Sequence, residues 1–246
     1  MLPILRRILL SILITATVGS AFANTAIEPA SRGEKWELRY QKLRERAKQG
    51  DIDVLFLGDS ITEHWTTAAP KGGREVWERH FAPLKAANLA ISGDRTQNVL
   101  WMLDQGLVDG LNPKVVVIML GTNNTGLERD GKTVRNTVPE VIEGVKTVVA
   151  SVSKRLPESK ILLLGIFPRG ATAEHFQRQQ VAEINAGISG LGDGKHIHYL
   201  DITDKFLSAD GSLGKEVMPD FLHPNEAGYQ IWADAIEQPL KKLLSE

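Results

Sequence analysis

The stretch that decides the fold of this 246-residue chain is residues 53–62, which read Asp53-Val54-Leu55-Phe56-Leu57-Gly58-Asp59-Ser60-Ile61-Thr62. Residues 54–57 form a short unbroken apolar run, which is typical of a strand buried on both faces of a parallel sheet. The Gly-Asp-Ser triplet predicts a tight turn, and Ser60 and Thr62 carry hydroxyls that can cap a following helix. Ligands bind beyond the carboxyl ends of strands in open α/β sheets, so Ser60 is also placed for chemistry.

Apolar runs and helical patterns alternate along the rest of the chain. Further strands are predicted at 86–91, 115–120, 160–167 and 196–200. Helices are predicted at 34–49, 74–80, 96–107, 133–156, 173–188 and from about 224 to 244. This alternation predicts βαβ crossovers, and therefore one three-layer α/β/α domain with a five-stranded parallel sheet.

The first residues have the features of a secretory signal peptide. Arg6 and Arg7 precede an apolar run at 8–18, and Ala21-Phe22-Ala23 supplies small residues where a signal peptidase cuts. The alternative is an uncleaved anchor, but the run is shorter than the ~20 residues that a membrane span needs. We predict a signal peptide at 1–23, a linker at 24–33 and the functional domain at 34–246. The domain is then exported to a periplasm or the medium, without stable membrane insertion after cleavage.

Composition excludes several kinds of site. The net charge of −1 gives no electrostatic basis for binding nucleic acid, and the absence of cysteine excludes disulfides and thiolate ligands. The sequence has no Gly-rich phosphate loop and no dinucleotide fingerprint. His196 and His198 alternate on one strand like a metal pair, but no third ligand accompanies them, so plain strand residues are the favoured interpretation. We predict no metal and no cofactor.

Polar residues that fit an acyl-transfer site follow the predicted strands. Ser60 supplies a nucleophile, and His223 is a base able to take its proton. Asp220 lies three residues before His223, close enough to hold the same imidazole in one tautomer. The backbone N–H groups of Ser60 and Gly93 and the side-chain amide of Asn123 are three donors for an oxyanion. Each residue alone has an ordinary structural interpretation as a cap or a turn residue, but their order at successive strand ends favours the catalytic one.

The same four blocks resemble those of the SGNH (GDSL-like) esterases. They read Gly58-Asp59-Ser60, Gly93, Gly121-Thr122-Asn123 and Asp220-Phe221-Leu222-His223. The resemblance covers about residues 50–244 and is greatest to the catalytic subunits of the platelet-activating-factor acetylhydrolase IB group. It implies a flavodoxin-like fold, Ser60 as nucleophile, an Asp220–His223 pair, oxyanion donors on Ser60, Gly93 and Asn123, and a homodimer.

Some positions depart from the family pattern. Ile61 stands where the family has Leu, and Asn124 stands where many members have Asp. The export signal is absent from the intracellular acetylhydrolases, so an O-acetylated glycan is as plausible a substrate as a lipid. The Gly-x-Ser-x-Gly elbow of the α/β-hydrolases is missing.

The sequence therefore predicts an exported serine esterase acting on small, short-chain esters, with acetyl esters favoured. Ile61 and Leu222 are expected to narrow the acyl pocket, and Trp65 is expected to shape the mouth of the cleft. His64 is close to Ser60 in the sequence and is able to line the site, but a helix-surface position is the favoured interpretation. Two alternatives remain open: a lysophospholipase or thioesterase of longer acyl chains, and a non-catalytic glycan-binding module on an esterase scaffold.

Overall fold

A five-stranded parallel sheet lies at the centre of the protein, and the computed structural model describes residues 23–246. The strands are β1 (Val54–Gly58), β2 (Ala86–Asn88), β3 (Val115–Met119), β4 (Lys160–Leu164) and β5 (Ile197–Leu200). Their order across the sheet is β2-β1-β3-β4-β5, and every neighbouring pair is parallel. This is the flavodoxin-like order, so the predicted fold class is confirmed.

Helices cover both faces of the sheet. They are α1 (Glu34–Lys48), α2 (Ser60–Glu63), α3 (Arg74–His80), α4 (Thr96–Asp104), α5 (Val138–Arg155), α6 (Phe176–Ser189) and α7 (Glu226–Ser245). Side chains alternate along β1, so Leu55 belongs to the core cluster that includes residues of α1, α4, α5 and α6, whereas Phe56 belongs to the cluster on the opposite face, with residues of α3 and α7. β1 and β3 are buried along their whole length, which explains why their sequences are unbroken apolar runs.

The register of the strands brings their carboxyl ends to one edge. Gly58 at the end of β1 pairs with Met119 at the end of β3, and Ile118 pairs with Leu163 on β4. The loops after these strands therefore begin at the same level. This edge is where the predicted nucleophile and oxyanion donors emerge.

Several predicted elements are shorter than the patterns suggested: β4 ends at Leu164 rather than at 167, α4 ends at Asp104 rather than at 107, and α6 begins at Phe176 rather than at 173. β2 ends at Asn88 because the side chain of Asn88 accepts the N–H of Ala90 at 3.2 Å and turns the chain. α5 begins at Val138 rather than at 133, because Thr137 and Glu140 form a capping box. The preceding residues form a hairpin closed by a bridge between Leu127 and Val134.

The segment 24–33, predicted as a linker, packs against the domain. It contains a 3-10 helix (Thr25–Ile27) whose Ala26 is fully buried. The hydroxyl of Thr96 donates to the Ala26 carbonyl at 2.7 Å, which ties the segment to α4. In α1, Trp36, Tyr40 and Ala47 are buried, whereas Leu38 is exposed.

The predicted signal peptide at 1–23 lies outside the described residues except for Ala23. Across residues 23–246, no helix combines the length and the apolar character that crossing a bilayer would require.

Candidate active site

The turn after β1 places Ser60 at the sheet edge. A side chain at Gly58 would collide with Thr62 and lie 2.6 Å from the Met119 carbonyl oxygen, so only glycine permits this close approach. The carboxylate of Asp59 accepts the N–H of Ile61 at 3.0 Å and is the N-cap of α2. Ser60 is therefore the first residue of the helix, and its hydroxyl is not used as a cap.

Asp59 itself is completely buried, and burial raises the pKa of its carboxyl to about 7. Between about pH 4 and pH 7 the folded protein keeps a proton on Asp59 that the unfolded chain has lost. The unfolded state then binds fewer protons, so this group lowers the free energy of unfolding as pH rises through that window.

Asp59→Asn removes this pH dependence because it keeps an oxygen for the cap and cannot ionise. The free energy of unfolding of the variant, relative to wild type, is expected to rise by up to about 4 kcal/mol from about pH 4 to pH 7. Urea unfolding at a series of pH values measures it. Asp193→Asn is the opposite-sign control, because backbone N–H donors lower the pKa of Asp193 to about 2. The free energy of unfolding of Asp193→Asn, relative to that of wild type, should fall as pH rises from about 2 to 4. A pH-independent difference for Asp59→Asn would contradict the argument.

The structure brings Ser60, His223 and Asp220 together. Ser60 Oγ lies 2.9 Å from His223 Nε2, and His223 Nδ1 lies 2.7 Å from Asp220 Oδ2. Ser60 and His223 are 163 positions apart in the chain, so this contact exists only through the fold. The imidazole thus bridges a hydroxyl and a carboxylate, which is the arrangement that lets a serine lose its proton to a base.

The carboxylate of Asp220 also shapes the loop that carries His223. Asp220 Oδ1 accepts the backbone N–H groups of Leu222 and His223 at 3.1 and 2.8 Å, while Oδ2 faces the ring. Phe221, which lies between Asp220 and Leu222, has a φ of +57°, a conformation rare for a non-glycine residue. Burial of Asp220 opposes its ionisation, but the hydrogen bonds from the His223 ring and backbone outweigh burial and lower the pKa of the carboxyl.

Gly93 and Asn123, the other two predicted site residues, are neighbours at the same edge. The Asn123 amide donates one hydrogen to the carbonyl of Asp94 at 3.0 Å, which leaves its second N–H for another acceptor. Gly93 has a φ of +80°, in the left-handed region that favours glycine. The Asn123 amide is therefore tied to the loop that carries the Gly93 N–H.

The loop around Gly93 is held from three sides. Glu63 in α2 accepts the N–H of Ser92 at 2.8 Å, and it also contacts Arg39. Arg32 donates to the Ser92 carbonyl and to Asp94 at 2.7 and 2.8 Å. These long-range bonds connect the predicted oxyanion loop to α1, α2 and the segment before α1, and no local sequence pattern indicated them.

The predicted pocket residues separate into buried and accessible positions. Trp65 is 0% exposed and packs on Tyr229, with ring centroids 4.4 Å apart, so the prediction that it shapes the cleft mouth is wrong. The reason is that the 3-10 helix after α2 (His64–Thr66) directs Trp65 into the apolar cluster formed with α3 and α7. Ile61 is also fully buried there and does not line an open pocket. Leu222 is partly exposed beside His223.

His64, for which a helix-surface position was favoured over one lining the site, lies beside His223 in the structure. Its ring lies 5.2 Å, centroid to centroid, from the ring of His223, and burial followed by the nearby His223 lowers its pKa. Both histidines line a cleft of about 420 Å³ together with Pro70, Lys71, Pro219 and Asp220, among others. The available signal was spacing: His64 follows Ser60 by four residues, which places both on one helix face.

Comparison with known proteins agrees with this fold and motif order. The family model described as GDSL-like Lipase/Acylhydrolase matches residues 56–231. The human platelet-activating factor acetylhydrolase IB subunit alpha1 is 30% identical over 223 residues, which covers 90% of each chain. The rat subunit alpha2 is 32% identical over 222 residues, again with 90% of each chain covered.

Solved structures show the same fold at lower sequence identity. A GDSL-like lipase from Bacteroides thetaiotaomicron is 19% identical, with a TM-score of 0.61 over 82% of this chain and 97% of the other. The acetylxylan esterase Axe2 from Geobacillus stearothermophilus, as a catalytic mutant, is 17% identical, with a TM-score of 0.62 over 79% and 94%.

The fold and these matches define a carboxylic ester hydrolase with a flavodoxin-like α/β/α architecture. The chain belongs to the GDSL-like lipase/acylhydrolase family.

Proposed function

We propose that this chain is an exported serine esterase that hydrolyses short-chain esters, in particular acetyl esters. The observation that carries the proposal is the hydrogen-bonded series from Ser60 Oγ through His223 to Asp220, at 2.9 and 2.7 Å. Such a series supplies a nucleophile, its base and the group that orients the base. The reaction needs no further group from the protein except donors for the oxyanion.

In the first half-reaction, His223 Nε2 takes the proton of Ser60 as Oγ attacks the ester carbonyl carbon. The resulting imidazolium is stabilised by Asp220 across the 2.7 Å contact. Collapse of the tetrahedral intermediate breaks the bond to the alcohol, which leaves with the proton from His223. In the second half-reaction, His223 deprotonates water, which attacks the acyl-serine and releases the carboxylic acid and free Ser60.

Oxyanion stabilisation is assigned to the backbone N–H groups of Ser60 and Gly93 and to the second amide hydrogen of Asn123. Donors held before reaction need no reorganisation when charge develops, so they act mainly in the transition state. The bond from Asn123 to the Asp94 carbonyl supports this role, since it immobilises the amide.

Asn123→Ala is expected to lower kcat for p-nitrophenyl acetate by about 10²- to 10³-fold, because one oxyanion donor is lost. The adjacent Asn124 supplies the matched control, since its buried amide donates to Gln97 and Asn136 instead. Asn124→Ala should cost about 1–3 kcal/mol of stability, by loss of buried hydrogen bonds. Steady-state kinetics and urea unfolding on both variants separate the two roles. Equal kcat losses in the two variants would remove Asn123 from the oxyanion hole.

The preference for acetyl esters is supported by the relatives at 30–32% identity, whose names state acetylhydrolase activity. A series of p-nitrophenyl acetate, butyrate and octanoate tests it against the alternative of a lysophospholipase or thioesterase. We expect kcat/KM to fall steadily with acyl length. Octanoate cleaved as fast as acetate would favour the longer-chain alternative. For the substrate itself we propose an O-acetylated glycan or an acetylated lipid.

The glycan-binding alternative, from a different functional class, predicts saturable binding of an acetylated oligosaccharide without release of acetate. The esterase proposal predicts acetate release from the same ligand. Measuring acetate and ligand binding in parallel therefore decides between them.

Export is proposed on the N-terminal pattern of residues 1–23. Expression of the full chain should give a mature protein that begins at about Asn24 in the periplasm or the medium. Mass spectrometry of the intact N-terminus is the test, and an uncut chain in the membrane fraction would support an anchor. The homodimer implied by the resemblance is tested on the same material by light scattering.

A further inference from the structure

A second cleft, of about 470 Å³, borders the proposed oxyanion hole, because Gly93 and Asn123 lie in its wall. Four of the side chains that line it are arginines: Arg32, Arg95, Arg129 and Arg135. We refer to it as the arginine cleft. Its volume is within the range of about 300–1,000 Å³ that is usual for small-molecule sites.

The positive charges of the arginine cleft are only partly neutralised. Arg95 forms a bidentate pair with Glu128 at 2.6 and 2.9 Å, and Arg32 pairs with Asp94 at 2.8 Å. Within residues 23–246, Arg129 is exposed and no carboxylate within ion-pair distance accompanies it.

Arg135 is the fourth of these cations, and its only contact with Glu128 is a long one. Its Nη1 donates to the Asn123 carbonyl at 3.1 Å, and its Nε lies 3.9 Å from Glu128. That Nε is buried and has no hydrogen-bond partner in the described part of the chain. The four arginines therefore exceed Glu128 and Asp94 by two positive charges.

The arginines also repel one another. Burial lowers the pKa of Arg135, and the neighbouring charge of Arg95 lowers it further. Arg169 donates to the Thr122 carbonyl, and its pKa is likewise lowered, first by burial and then by the charge of Arg135. An anion placed among these guanidinium groups relieves that repulsion and gains charge-assisted hydrogen bonds.

We propose that the arginine cleft binds an anionic oxygen group of the substrate, a carboxylate or a phosphate carried by the same molecule as the scissile ester. This inference rests on the proposed esterase function. The geometric reason is that Asn123 and Gly93 belong to both sites, so a group in the cleft lies next to the reacting carbonyl. Planar guanidinium groups match carboxylate and phosphate geometry, which a single ammonium does not.

Matched pairs of esters test the proposal and identify the source of the anion. Acetylglycerol is compared with acetylglycerol 3-phosphate, and an acetylated methyl glucoside with the corresponding methyl glucuronoside. In at least one pair, kcat/KM is expected to be about tenfold higher for the anionic ester, and the preference should shrink as salt is added. A ratio near one in both pairs would overturn the inference. Hydrolysis of the neutral esters would meanwhile leave the esterase proposal intact.

Charge variants in the cleft then localise the effect. Arg129→Gln should reduce the anionic-to-neutral ratio of kcat/KM by about fivefold, because it removes an exposed cation with no structural contact. Glu128→Gln should raise the ratio, since it removes the opposing charge. Lys154→Gln, on the exposed face of α5, changes net charge equally and serves as the control. A ratio altered as much by Lys154→Gln as by Arg129→Gln would contradict a site in the cleft.

A binding measurement makes the result independent of turnover. Calorimetry with inorganic phosphate and with glucuronate is performed on Ser60→Ala and on Ser60→Ala combined with Arg129→Gln. Saturable binding of either probe by the first protein, weakened several-fold in the second, is the expected result. Failure of both probes to bind Ser60→Ala, or equal binding by the two proteins, overturns the proposal even if no ester is found to be hydrolysed.

Discussion

Replacing Ser60 with alanine is expected to lower kcat for p-nitrophenyl acetate by about 10⁴- to 10⁶-fold, because the variant has no atom to form the acyl-enzyme. The hydroxyl is small and only 7% of the residue is exposed, so its removal leaves the surrounding packing in place. The residual rate then reflects whatever the oxyanion donors and binding contribute on their own. Initial rates at saturating substrate, with circular dichroism to verify folding, give the comparison.

Ser153→Ala provides the matched control for this substitution. Ser153 lies on α5, at a partly exposed position that packs away from the sheet edge where Ser60 emerges. Loss of the Ser153 hydroxyl should leave kcat within about twofold of the wild-type value, as is usual for surface substitutions. A Ser60→Ala variant as fast as wild type would show that Ser60 is not catalytic and would favour the glycan-binding alternative.

Asp220→Asn is expected to lower kcat by about 10²- to 10⁴-fold with a much smaller change in KM. An asparagine retains an oxygen for the backbone N–H groups of Leu222 and His223, so the loop is preserved. It loses the negative oxygen that accepts from His223 Nδ1 at 2.7 Å and that stabilises the imidazolium. Because 56% of the Asp220 side chain is exposed, water screens part of this effect, and the lower half of the range is expected.

Two further variants separate orientation of the ring from formation of the loop. Asp220→Ala removes both functions and should be less stable than Asp220→Asn as well as inactive. Asp210→Asn is the control, because Asp210 accepts the backbone N–H of Ser212 at 2.9 Å in the same way but faces no imidazole. If Asp220→Asn kept the wild-type kcat, His223 would have to be oriented by another group, and the half-buried His64 ring beside it would be the first to examine.

How far the sequence predicts this protein is clearest at the strands. Residues 54–57 and 115–120 are apolar without interruption, and the structure buries both strands on two faces of a parallel sheet. Such runs are informative because a central parallel strand has no solvent-facing side, so composition alone identifies it. The family assignment is reached the same way, since Gly58-Asp59-Ser60 and the later blocks occur in order at the carboxyl ends of strands.

Element boundaries were predicted less well because side chains override periodicity there. α5 starts five residues later than predicted, at a capping box of Thr137 and Glu140 that the sequence already contained. β2 ends early at Asn88, whose side chain accepts the N–H of Ala90 and also donates to the carbonyl of Thr62 on a different element. The first difference was readable from the sequence, whereas the second depends on which loop lies opposite Asn88.

The sequence by itself determined the fold class, the family and the identity of the residues proposed for catalysis, because these follow from local patterns in fixed order. Only the tertiary structure decided that Trp65 is buried, that His64 lies beside His223, and that the chain before α1 holds the Gly93 loop. It also decided that Arg32, Arg95, Arg129 and Arg135 meet in one cleft. The physical reason is that these contacts join residues far apart in the chain, and their energies depend on burial and distance, which a linear pattern does not contain.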